Sequence, residues 1–223
     1  MQNLPFVISL VFIVIVLLTF YFASEACRNN KKVLILLSIW LLLIGILSVN
    51  DVFKITDRFP PRIMISVFAW IVVIIAFFFT KAGKFFIDTL EIRWITILHI
   101  IRFPVELILF WLFTKGAVPK EMTFEGGNLD ILSGITAPIV FYFAFVRKSM
   151  SNKTVLAWNL ICLILLMNIV VRAILSLPTP FQKIGMLHPN IAVLHFPFTL
   201  LPAFIVPIVL FAHLAAIRQL IKK

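Results

Sequence analysis

Cysteine is nearly absent from the chain: it has two in 223 residues, Cys27 in a basic loop and Cys162 inside an apolar run. They fall at different levels of any membrane arrangement, so neither a disulfide nor a CxxC metal site is expected. Carboxylates are scarce too, nine Asp and Glu against twenty Lys and Arg. No HExxH, no CxxCH and no other motif of a named reaction occurs. The last apolar run, 191–217, contains no lysine, which excludes a retinal Schiff base there. No basic stretch precedes the first apolar run, 4–23, and that run is too long for a signal-peptide core. It reads as a retained anchor. Ser24-Glu25-Ala26-Cys27 has the outline of a lipoprotein cleavage site, but Glu25 and the missing basic segment argue against cleavage.

What the chain has is apolar length. Hydrophobic residues make up 62% and charged residues 13%, with a mean hydropathy of +1.13. A soluble domain is about half apolar. The composition therefore predicts an all-α integral membrane protein, one domain over 1–223 embedded in the lipid bilayer of the cytoplasmic membrane. Seven spans are expected, at 4–23, 33–49, 63–80, 92–113, 131–146, 154–175 and 191–217. The fifth is short and the seventh long. Twelve Lys and Arg lie in loops on one side and six on the other. The positive-inside rule then places the N-terminus outside and the C-terminus in the cytoplasm. This sorting accounts for the net charge of +11 without nucleic acid. Lys81–Glu91 reads as a short interfacial helix.

The polar residues inside the spans are the candidates for function, since an ionisable group at that depth is costly unless it faces protein or a wet cavity. His99, Arg102 and Glu106 are spaced i, i+3, i+7 and share one helical face. Arg102 and Glu106, four apart, are expected to bridge. Pro104 between them invites a kink. Asn168 and Arg172 repeat the i, i+4 spacing in the sixth span, and His195 begins the seventh. Pro197, Pro202 and Pro207 each remove a helical donor, so that span is expected to be broken and to act as a hinge.

If these helices neighbour one another, Arg102, Glu106, Asn168, Arg172 and His195 form an outward-facing, net-cationic pocket. Such a pocket suits a small anionic solute or a lipid headgroup, which arginine pairs bidentately. The expected function is transport or binding of that ligand, without a cofactor. Two other readings compete. One is an enzyme acting on a lipid or isoprenoid, with His195 and Glu106 as acid and base. The other is a non-catalytic subunit that pairs its charges with a membrane partner or with a second copy. Zinc on His188, His195, Glu125 and Asp130, or haem between His99 and His213 at matched depth, are the cofactor alternatives.

Overall fold

The computed structural model describes residues 5–56 and 60–222. Leu4, Arg58 and Lys223, which the span and charge assignments include, lie outside them. All regular structure among the described residues is helical. In order the helices are α1 (Phe6–Ala26), α2 (Lys31–Val49), α3 (Arg62–Phe79), α4 (Lys81–Thr89), α5 (Ile92–Leu98), α6 (Arg102–Thr114), α7 (Ile131–Phe141), α8 (Asn152–Leu175) and α9 (Val206–Ile221).

Six segments of 18 to 24 residues are long and apolar enough to cross a membrane: Phe6–Ala26, Lys31–Val49, Arg62–Phe79, Ile92–Thr114, Asn152–Leu175 and Leu201–Ile221. The seven full spans expected reduce to these six. Ile131–Val146 is a shorter apolar helix, the 11 residues of α7 followed by a five-residue π-helix. At ~1.5 Å per residue it stops several ångströms short of ~30 Å of hydrocarbon. α2 buries only Ile44 and Ser48, and Ile35, Leu36, Ile39 and Leu42 are more than half exposed. That face suits hydrocarbon as its solvent.

The last apolar run differs from the single broken helix expected over 191–217. A 3-10 turn at Ala192–Leu194 leads into irregular backbone. Helix resumes only as a π-turn, Leu201–Ile205, and continues to Ile221. Pro197 and Pro202 withhold the donors a continuous helix needs, so the chain gives up regular structure around them. Pro207 sits inside the resumed helix, and its missing N–H leaves the Ala203 carbonyl without its usual partner. Two indoles supply one. Trp40 Nε1 on α2 and Trp70 Nε1 on α3 donate to Ala203 O at 2.7 and 2.9 Å, their rings edge to face at 6.0 Å. Either Trp→Phe alone should cost under about 1 kcal/mol, because one donor remains. The double variant should cost about 2 kcal/mol, the penalty of a buried carbonyl left bare. Thermal unfolding in detergent reads the difference, and additive single effects would show that the indoles do not share this task.

The helix ends sort by charge. Glu91 N–H donates to Ala26 O at 2.9 Å, bringing the start of α5 to the end of α1. Gln219 Nε2 on α9 donates to the Ile87 and Leu90 carbonyls beside α4. Val140, Val155 and Leu220 share one apolar cluster. The loops carrying these cations, Lys223 aside, therefore meet at one end of the bundle. There Arg218 and Lys222 bind Asp88, pinning the short helix α4 as a lid across the end of α9. The Lys222 ammonium, bonded directly to Asp88, holds its carboxyl below the usual carboxylate range, and Arg218 adds to the effect.

Candidate functional site

The expected kink near Pro104 is a 3-10 turn, His99–Ile101, between α5 and α6. It turns three polar residues of this span, His99, Arg102 and Glu106, into the protein, each no more than 3% exposed. Arg102 and Glu106 take different partners. Arg102 Nε donates to Asp130 Oδ2 at 2.7 Å, and Nη2 bonds Asp130 Oδ1, a bidentate pair. Nη2 also donates to Cys162 O at 3.1 Å, and Nη1 reaches His213 Nε2 at 2.8 Å. Four of the five guanidinium donors are thus used. Because Arg102 can only donate, His213 Nε2 must accept. His213 is then the Nδ1–H tautomer, donating to Asn159 Oδ1 at 3.0 Å. The Asn159 amide in turn donates to Val155 O.

Among the described residues no cation pairs with Glu106. Its two oxygens accept from Asn128 Nδ2 at 2.6 and 2.7 Å, and Asn128 Oδ1 accepts from the Asp130 backbone N–H at 3.0 Å. Arg172 holds the loop that presents Asn128. Its Nε donates to Asn168 Oδ1, its Nη1 to the carbonyls of Gly126 and Glu121, and Asn168 Nδ2 donates to Gly127 O. Gly127 has φ +89°, and a Cβ there would stand 3.3 Å from Arg172 Nη2. A side chain would be strained in that conformation and would crowd the clamp.

A cavity of about 110 Å³ lies beside these groups. Most of its wall is aliphatic, from α3, α6, α8 and α9, including Ile63, Val105, Ile169 and Val209. The polar side chains on it are Arg102, Glu106, Asp130 and Asn190. Asn190 is fully buried, and among the described residues neither its Oδ1 nor its Nδ2 finds a hydrogen-bond partner.

Of the five residues expected to share a pocket, Arg102 and Glu106 do. Asn168 and Arg172 are a loop clamp and do not line the cavity. His195 is half-buried, with Nδ1 bonded to Ile191 O at 2.9 Å, one turn back in its own chain. Pro202 lines the cavity wall, whereas Pro197 lies in the irregular segment before the helix and Pro207 within α9. The charge balance also reverses. The expectation of a net-cationic pocket counted Arg102 and Arg172 against Glu106 alone. The observed cavity has one cation and two carboxylates, and the cation is already paired.

The cofactor alternatives meet similar geometry. Among the described residues no group of three or more His, Cys, Asp or Glu gathers as a metal site. Asp130 is committed to Arg102, and His188 is exposed. The rings of His99 and His213 stack at 3.8 Å and 13°, and His99 meets Trp158 in an edge contact. Four groups lay outside the expected site. Asp130 figured there only as a zinc alternative and His213 only as a haem ligand, and Asn128 and Asn190 did not figure at all.

The fold and the site define an all-α protein with six membrane-length apolar helices around a buried polar network that opens on one cavity. The chain belongs to the family described as a domain of unknown function (DUF8737), whose model matches residues 59–221. The match begins just before α3 and leaves out α1 and α2, although α1 packs Phe12 and Ile15 into the core. No curated protein and no solved structure matches the chain.

Proposed function

We propose that this is a multi-pass protein of the cytoplasmic membrane that binds or transports a small, largely apolar molecule, and that the ligand presents a hydrogen-bond-donating or cationic head to Glu106 and Asn190. The seven-helix arrangement with the N-terminus outside belongs to this reading, with Ile131–Val146 as its short seventh member. One observation carries the proposal. Among the described residues, a carboxyl group that no cation pairs with and an amide without a partner, both buried, face the same aliphatic cavity. Buried polar groups are satisfied in the great majority of cases, so an orphan on a cavity wall is a place for something else to bind. The earlier preference for an anion loses its support once Arg102 is matched by Asp130. The enzyme alternative loses its named pair, because His195 does not face Glu106.

The test is intact-complex mass spectrometry of protein taken from membranes in mild detergent. Wild type should carry a bound small molecule. Glu106→Gln and Asn190→Leu should each deplete it at least tenfold while unfolding within a few degrees of wild type. A ligand retained equally by both variants, or wild type that carries none, sinks the proposal.

A further inference from the structure

A second cavity, of about 170 Å³, opens at the basic end of the bundle, away from Glu106. It is walled by α1, α2, α3, α4, α5 and α9, with Leu37, Trp70, Phe86, Leu98 and Phe211 among its contributors. Its polar atoms are spoken for. The Trp70 indole N–H is bonded to Ala203 O. The Cys27 thiol bonds Ser24 O, and burial pushes it above its ordinary range, so it is a wall group and not a nucleophile. A dry apolar cavity of roughly 150 Å³ accepts a benzene-sized guest. This one has room for a stretch of a hydrocarbon chain.

The chain next to the lining residues is basic. Lys31 and Lys32 open α2, directly before the lining residue Val33. Lys81 and Lys84 lie in α4, just ahead of the lining residue Phe86. Of the nearby carboxylates, Glu91 is held by Arg28 and Arg93 and Asp88 by Arg218 and Lys222, while Glu25, half-buried beside the lining residue Cys27, is the one acidic group left at this end. Among the described residues no carboxylate pairs with any of the four rim lysines. The first N–H groups of α2 are capped by the Asn30 side chain, so an anion at the rim would bind the ammonium groups, not the helix end.

We propose that this cavity is a site for an anionic phospholipid, with a segment of one acyl chain inside it and the phosphate on Lys31 and Lys32, Lys81 and Lys84 standing across the mouth. The site rests on the reading that the bundle spans a bilayer. It is independent of the cavity at Glu106. Apolar depth alone would take any lipid. The unpaired lysines select an anionic one, at a site between helices on the positively charged side.

The experiment is intact-complex mass spectrometry of the full chain, delipidated in detergent and titrated with phosphatidylglycerol or phosphatidylcholine of identical chains. Wild type should retain phosphatidylglycerol about tenfold more strongly. Lys31→Gln with Lys32→Gln should remove that preference and leave phosphatidylcholine retention unchanged. Leu37→Trp should lower retention of both lipids by filling the cavity. If that variant unfolds early, Val73→Phe serves instead. Equal retention of the two lipids by wild type overturns the proposal, as does a preference that survives in the double lysine variant. Glycerol phosphate should not displace the lipid at equal concentration. If it does, the rim is a free-anion site and the chain-binding cavity has no part in it. Glu106→Gln should leave the preference intact, so the failure of one cavity's reading does not decide the other.

Discussion

Arg102→Met should destabilise the folded protein by about 3 kcal/mol or more, and Asp130→Leu nearly as much. Each leaves its partner buried without a counter-charge, the condition under which breaking an ion pair costs most. Arg102 is 3% exposed, and the Asp130 side chain 7%. The double variant Arg102→Met with Asp130→Leu should recover most of the loss, because neither charge then has to be held in an apolar interior. It should not recover all of it. His213 Nε2 and the Cys162 carbonyl also take hydrogen bonds from Arg102, and leaving them bare should keep a deficit of about 1–2 kcal/mol. Unfolding by denaturing detergent, followed by circular dichroism, measures all four proteins in one cycle. Singles as stable as wild type would mean that the pair is not a lock. A double variant as poor as the sum of its singles would place the loss in packing and not in charge.

The pairing also shows what could be read from the sequence and what could not. Composition and the long apolar runs give the helical class and most of the spans, since these depend on local length and hydropathy alone. The spacing of His99, Arg102 and Glu106 correctly puts them on one inward face. It does not give their partners, because an i, i+4 bridge competes with contacts from other helices. A bidentate carboxylate with two further acceptors satisfies a guanidinium better than one neighbouring glutamate does. The shortness of 131–146 was legible and holds the key. Because α7 is short, the loop before it brings Asn128 and Asp130 beside Glu106 and Arg102. The burial of Asn190 had no local signal. It depends on the backbone returning from Ser176, with Asn190 N–H bonded to Ser176 O, and on Ile191 and Ala192 closing on Ala117 O. Arg172 was misplaced for a related reason. Its partners are backbone carbonyls of an irregular loop, and no side-chain pattern announces those.

The close approach of α7 to α6 yields the second large effect. Gly134 on α7 faces the backbone of α6, and a Cβ there would lie 2.3 Å from Phe103 N and 2.9 Å from its Cα. Those atoms belong to a rigid turn, so α7 itself would have to move. Gly134→Ala should therefore cost about 2–3 kcal/mol, as overpacking of a close contact does. It should also loosen the Arg102–Asp130 pair, because Asp130 lies one turn away on the helix that shifts. Gly45 in α2 provides the matched control. A Cβ there meets Phe196 at 4.0 Å, an ordinary contact. The same substitution should be neutral or stabilise by up to about 1 kcal/mol through the helix preference of alanine. Opposite signs at the two glycines locate the cost in the α6–α7 approach and not in glycine as such. Combining Gly134→Ala with Arg102→Met then tests the coupling. If small-residue packing is what brings the two charges together, the combined loss should fall clearly short of the two single losses added, because the pair is already weakened when the helices part. Full additivity would mean that Asp130 reaches Arg102 by its loop, whatever the spacing of the helices.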